Sequence, residues 1–155
     1  MSELRTAPPL EENRNTMPIA LKVKDVMDKN VFFLDAELTV EDAVGKMIKK
    51  KVWSLIIQKS GRPEGVVTER DIIQKCLGKG LSPAKTPVGS IASAPIMTVG
   101  PDATIRDAMD IMTAKDVRRL FVVDKGKIVG RITQTDLFQS TLALLETLSE
   151  LPDEL

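Results

Sequence analysis

Gly65-Val66-Val67-Thr68-Glu69-Arg70-Asp71 returns 65 positions later as Gly130-Arg131-Ile132-Thr133-Gln134-Thr135-Asp136. Each stretch reads as a strand, a threonine at the strand–helix junction, and an aspartate in the first helical turn. The glycine lets another backbone or a ligand come close. The threonine hydroxyl and the free amides of a helix start can face an anion. The aspartate is an acceptor-only carboxylate suited to two vicinal hydroxyls, such as those of a ribose. The same residue pair also makes a helix cap, because Thr-x-x-Asp occurs at 39–42, 68–71, 104–107 and 133–136. The glycine-led strand before Thr68 and Thr133 sets these two apart; Thr39 and Thr104 are read as caps alone.

The repetition extends outward. Residues 22–77 lie without a gap on residues 87–142, with fourteen identical pairs, among them Thr39/Thr104, Ala43/Ala108, Met47/Met112 and Leu77/Leu142. Chance would give roughly three or four on average composition. Two copies are too few for a solenoid, so the repeat predicts two half-modules around a pseudo-twofold axis with duplicated sites. Each copy begins with a short apolar strand, Val31–Leu34 or Ile96–Val99. A helix opening at Thr39 or Thr104 follows, with apolar residues at helical spacing. Then come two strands around a glycine turn and a second helix from Thr68 or Thr133. The fold class is therefore α/β (α+β), with two β-α-β-β-α repeats. The expected divisions are a flexible tail at 1–17, repeat 1 at 18–78, a glycine- and proline-broken linker at 79–86, repeat 2 at 87–142, and an acidic, leucine-rich helix or tail at 143–155.

Composition narrows the chemistry. The 155 residues hold 22 basic and 22 acidic side chains, no histidine and one cysteine. Zero formal charge argues against a nucleic-acid partner, which needs a basic face. Lack of histidine removes the commonest general base and metal ligand, and one cysteine can form no internal disulfide. Cys76 reads as a buried structural thiol. No apolar run approaches the roughly 20 residues of a membrane span, and the first fifteen residues lack a signal-peptide core, so the expected location is the cytoplasm. Met47 and Met112 read as core filling, Trp53 as core or interface packing, and Lys49-Lys50-Lys51 as a solvated helix end.

Two such copies, each carrying Thr-x-x-Asp behind its glycine-led strand, resemble a tandem pair of CBS domains, the Bateman module. Val117-Arg118-Arg119-Leu120-Phe121-Val122-Val123-Asp124 and the lead-in Val23-Lys24-Asp25-Val26-Met27 add to the likeness, which covers about residues 20–142. The resemblance implies a stand-alone regulatory module without catalysis. It would bind AMP, ADP or ATP as a regulatory ligand, with S-adenosylmethionine ranked below them and no obligatory cofactor or metal. It also implies a disk-like homodimer and a regulated partner protein of unknown identity. Asp71 and Asp136 would hold ribose hydroxyls, with Thr68 and Thr133 near ribose and phosphate. The base would lie near Val31-Phe32 and Ile96-Met97. Phosphate cations would come across the pseudo-twofold: Arg118 and Arg119 for the Asp71 cleft, Arg70 with help from Arg131 for the Asp136 cleft. Trp53-Ser54 stands where the other copy has Arg118-Arg119, and Thr135 where it has Arg70, so the clefts are expected to be unequal, with the Asp71 cleft the better phosphate site. A scaffold or dimerisation module with vestigial sites is the alternative.

Overall fold

The computed structural model describes residues 21–151. The tail expected at 1–17 and the last residues of the acidic segment, 152–155, lie outside the described residues. Two three-stranded sheets form, one per repeat: β1 (Phe33–Asp35), β2 (Ser54–Lys59) and β3 (Arg62–Thr68), then β4 (Thr98–Val99), β5 (Arg119–Asp124) and β6 (Lys127–Thr133). In both, the first strand pairs parallel with the second and the second antiparallel with the third. The crossovers are α2 (Val40–Lys50) and α4 (Ile105–Lys115). The architecture is α+β, in the expected β-α-β-β-α order. The initial strands are shorter than the apolar runs that announced them: Val31-Phe32 and Ile96-Met97 precede the ladders, although the Phe32 and Met97 carbonyls still accept from Ile56 and Phe121 at 2.9 Å.

The middle strands are buried on both faces, so their sequence runs apolar without alternation. Leu55 and Ile57 face the helices in a core with Val40, Ala43 and Met47; Leu120 and Val122 do so with Ala108 and Met112. The other face joins the two sheets through Ile56, Val66 and Phe121. The fourth position of that set, the counterpart of Val66, is Arg131. All four Thr-x-x-Asp motifs form complete capping boxes.

Two features depart from the linear reading. The lead-in of each repeat packs on the other repeat. The short α1 (Val23–Val26) places Val23, fully buried, in the core of repeat 2, and its amide donates to Ala103 at 2.8 Å. Val88 and Ile91, ahead of β4, lie in the core of repeat 1, where Val88 donates to Leu38 at 2.7 Å. The packing unit is thus not the sequence unit, and the exchange ties the halves together. The second helices also differ. In repeat 2, α5 (Gln134–Ser149) is continuous. In repeat 1, α3 (Glu69–Asp71) passes into a π turn (Ile72–Cys76) and a 3-10 turn (Leu77–Lys79) that ends at Gly80 with φ +70°. Gly78 and Gly80 are poor helix formers; repeat 2 has Ala143 and Leu145 in their places.

Cys76 is buried, as are Met47 and Met112. Trp53, expected in core or interface packing, is 64% exposed and so not in the core, while its neighbours Val52 and Ser54 are buried. The helix expected after residue 142 forms, with Leu145, Leu148 and Leu151 exposed.

Candidate functional site

A cleft of ≈ 290 Å³ opens between the repeats at the start of α3. Its walls bring Thr68, Arg70 and Asp71 of repeat 1 together with Met97, Arg118 and Arg119 of repeat 2. Its apolar surface comes from Val66, Pro95, Met97 and Phe121. The sheet dictates this grouping. Alternation along β3 turns Val66 and Thr68 to the same side, and along β5 it turns Arg119 and Phe121 to the same side.

Asp71 is the buried acid at its centre, 6% exposed. One oxygen, Oδ2, accepts from the Thr68 amide at 2.9 Å and the Thr68 hydroxyl at 3.0 Å. The other, Oδ1, accepts from the Ser93 hydroxyl at 2.7 Å and faces the Lys75 ammonium at 2.9 Å. Four donors fill the roughly four acceptor positions of a carboxylate. Burial alone would raise the Asp71 pKa, but the hydrogen bonds from Lys75, Ser93 and Thr68 and the charge of Lys75 outweigh it and hold the carboxyl below its usual range.

The sequence pointed to neither Ser93 nor Lys75. Ser93 arrives on the exchanged lead-in, where its amide and carbonyl pair with Val66 at 2.8 and 2.9 Å. Gly65 makes that approach possible: a Cβ there would lie 2.7 Å from the Ser93 carbonyl oxygen. Lys75 sits four residues after Asp71 on one helical face, a spacing that could have revealed it.

Arg118 is exposed at the cleft wall, and Arg119 donates across the repeats to both oxygens of Glu69 at 3.2 and 3.3 Å. Arg70, expected at the Asp136 cleft, lines the Asp71 cleft instead, because it lies on the same helical turn as Asp71.

The second set of predicted residues is arranged differently. Asp136 caps α5 through Oδ2, taking the Thr133 amide and hydroxyl at 2.8 Å each, and no donor reaches its Oδ1 among the described residues. Arg131, expected to help there with phosphate, is held by Asp28, its Nη2 donating at 3.0 Å. Asp28 is the counterpart of Ser93 and pairs with the Arg131 backbone as Ser93 does with Val66. Burial would raise the Asp28 pKa, but the Asn30 amide and the Arg131 guanidinium lower it below the usual range. The Phe32 ring has the Lys50 ammonium 5.3 Å from its centroid. Val31 and Ile96 pack between the sheets. Ser54, opposite in the repeat to Arg119, is 4% exposed, and its hydroxyl has no partner among the described residues. Six of the predicted residues, Thr68, Arg70, Asp71, Met97, Arg118 and Arg119, therefore line one cleft, whereas Val31, Phe32, Ile96, Arg131, Thr133 and Asp136 do not.

Residues 23–78 and 88–142 each match the CBS domain family. An uncharacterized protein of Methanocaldococcus jannaschii is 35% identical over 127 residues, covering 79% of this chain and 68% of the relative. Among solved structures, an uncharacterized conserved protein from Pyrococcus horikoshii superposes with a TM-score of 0.75 at 25% identity, over 81% of this chain and 95% of that one. A hexameric CBS-CP12 protein from bloom-forming cyanobacteria does so with a TM-score of 0.72 at 29% identity, over 80% and 73%.

Proposed function

The chain belongs to the CBS-domain family, whose members are in general regulatory, nucleotide-binding modules, and on that premise we propose that it is a non-catalytic sensor of an adenine mononucleotide, AMP, ADP or ATP, held in the Asp71 cleft, that acts on a partner protein. The observation that carries the reading is the convergence of Arg70, Arg118 and Arg119 with an apolar wall and a buried carboxylate in one cleft built from both repeats. Arginine's planar fork suits phosphate oxygens, and charge-assisted bonds to phosphate are among the stronger polar contacts. Val66, Pro95, Met97 and Phe121 offer a purine an apolar surface, and Asp71 is placed for the ribose. A volume of ≈ 290 Å³ lies at the small end of ligand pockets, roughly 300–1,000 Å³. That size favours a mononucleotide over a dinucleotide. Since Asp71 is already satisfied, a ribose must displace Lys75 or Ser93 to reach it. Lys75 is the partner to move, having the flexible, part-exposed side chain.

The same satisfaction favours a second reading, a scaffold whose cleft is kept for its internal polar network. Titration calorimetry with AMP and adenosine separates the two. Arg118→Ala with Arg119→Ala is expected to weaken AMP tenfold or more, as befits lost charged hydrogen bonds of roughly 1.5–3 kcal/mol, and to leave adenosine nearly unchanged. Equal losses for both would refute the phosphate assignment. Absence of binding by AMP, ADP, ATP and adenosine to the wild type would leave the scaffold.

A further inference from the structure

Charge on the walls of the Asp71 cleft is nearly balanced. Arg70, Arg118 and Arg119 share them with three carboxylates, Glu69, Asp71 and Asp116, and Lys75 is committed to Asp71 at 2.9 Å. Three arginines and Lys75 against three acids leave one positive charge. Resting on the reading of this cleft as a nucleotide site, we propose that Glu69 and Asp116 make it selective for a single phosphate, so that it takes AMP and rejects ADP and, more strongly, ATP. A phosphate monoester carries about −1.5 to −2 at pH 7. Each further phosphate adds negative charge that the walls do not match. Like charge built against a competitor discriminates as well as contacts made to the preferred ligand.

Glu69 acts through Arg119. Its two carboxylate oxygens accept from Arg119 Nη2 across the repeats, at 3.2 and 3.3 Å. The arginine side chain is only 16% exposed, so it stays at the wall. A guanidinium has five N–H donors, and Glu69 engages Nη2 alone. The remaining donors can serve one phosphate group while the ion pair stays closed. Further phosphates would share the cleft with Glu69 and Asp116 and meet like charge, which counts for more at a partly buried site than in bulk water.

The repeat itself shows that the fold requires neither acid. Gln134 stands where repeat 1 has Glu69. Both open their helices alike: the Gln134 amide donates to the Arg118 carbonyl at 3.0 Å and the Glu69 amide to the Trp53 carbonyl at 3.3 Å. Lys51 stands where repeat 2 has Asp116. Both close their helices in the left-handed conformation, with φ of 54° and 50°. A neutral or basic side chain therefore serves each backbone role, and the acids occur only where they line the Asp71 cleft.

Titration calorimetry with AMP, ADP, ATP and adenosine in magnesium-free buffer tests this on the unaltered chain. Affinity is expected to fall in the order AMP, ADP, ATP, with AMP roughly tenfold or more tighter than ATP, as befits one or more unmatched charges held near two acids. Glu69→Gln is expected to narrow the AMP-to-ATP ratio several-fold, since it removes one acid and releases Arg119. Asp116→Lys is expected to narrow it too while leaving the Glu69–Arg119 pair in place, and the double variant to bring the two nucleotides close to equal. Adenosine has no phosphate, so each affinity is read relative to it, and the melting curve reports whether each variant is folded. If AMP, ADP, ATP and adenosine all fail to bind, the nucleotide reading falls and the selection with it. If AMP binds but ATP binds as tightly or more so, selection alone is overturned. The same holds if the ratio is unmoved in the folded double variant.

Discussion

Asp71→Asn isolates what the saturated carboxylate contributes. The amide is isosteric, and its oxygen can still accept from the Thr68 amide, so the cap survives. Its nitrogen must then face the Ser93 hydroxyl and the Lys75 ammonium, which stand at 2.7 and 2.9 Å from Oδ1. The ion pair with Lys75, 38% exposed on the lysine side, is worth about 0.5–1 kcal/mol after screening. The bond from Ser93 to a buried charge adds about 1.5–2 kcal/mol. The variant should therefore lose about 2–3 kcal/mol at pH 7, or about 4–12 °C of melting temperature for a domain of this size. Asp136→Asn is the internal control. That carboxylate has its cap but no second pair of donors among the described residues, so its loss should stay below about 1 kcal/mol. The pH dependence follows from the lowered pKa of Asp71. Its contribution is complete above the unfolded value of about 3.9 and disappears as pH falls through the lower folded value. Denaturant unfolding from pH 7 to 3, at fixed protein concentration, should show a wild-type advantage that is flat above about pH 5 and shrinks below pH 4. A difference under 1 kcal/mol at pH 7, one matched by Asp136→Asn, or one that grows in acid would refute the account.

Lys75→Met should cost about 0.5–1 kcal/mol of stability while raising adenosine affinity several-fold, since the ribose no longer displaces an ammonium; calorimetry showing equal or weaker binding would mean that Lys75 is not displaced. Gly65→Ala should cost about 1–3 kcal/mol, because its Cβ meets backbone, the Ser93 carbonyl at 2.7 Å. Gly130→Ala should cost less, because its nearest neighbour is the mobile Met27 sulfur at 2.7 Å and the Asp28 carbonyl lies at 3.0 Å; the reverse order in denaturant unfolding would contradict the close-approach argument.

Much of the fold was legible because its signals are local or repeated. Thr39, Thr68, Thr104 and Thr133 each announce a helix start through chemistry that operates within four residues. The two-sided burial of Leu55–Ile57 and Leu120–Val122 is written in their uninterrupted apolar runs. What was not legible depends on which piece of chain lies opposite which. Val23 and Val88 look like the first residues of their own repeats, and hydrophobic pattern cannot say whose core they enter. The break after Asp71 was only half visible: Gly80 lies in the linker expected at 79–86, but nothing in the sequence announced the π turn from Ile72 to Cys76.

The site divides along the same line. Thr68, Asp71, Arg118 and Arg119 lie on strands and helix starts whose positions the repeat determines, and they meet at one cleft. Ser93 and Asp28 lie on the exchanged lead-ins, so each reaches the other repeat's third strand. There the two copies differ in kind. At the Asp71 cleft the lead-in brings a hydroxyl beside Val66, leaving an apolar wall and a carboxylate whose partners can exchange. At the matching place in the other half it brings an acid beside Arg131, and the two charges pair at 3.0 Å through Nη2, while the buried Arg131 Nε has no partner among the described residues. A ligand entering the first place must replace one hydrogen bond or one part-exposed ion pair. A ligand entering the second must part an ion pair whose arginine is 17% exposed, and breaking such a pair leaves a poorly hydrated charge. The asymmetry between the halves therefore rests on the exchanged segments as much as on the arginines that the sequence made conspicuous.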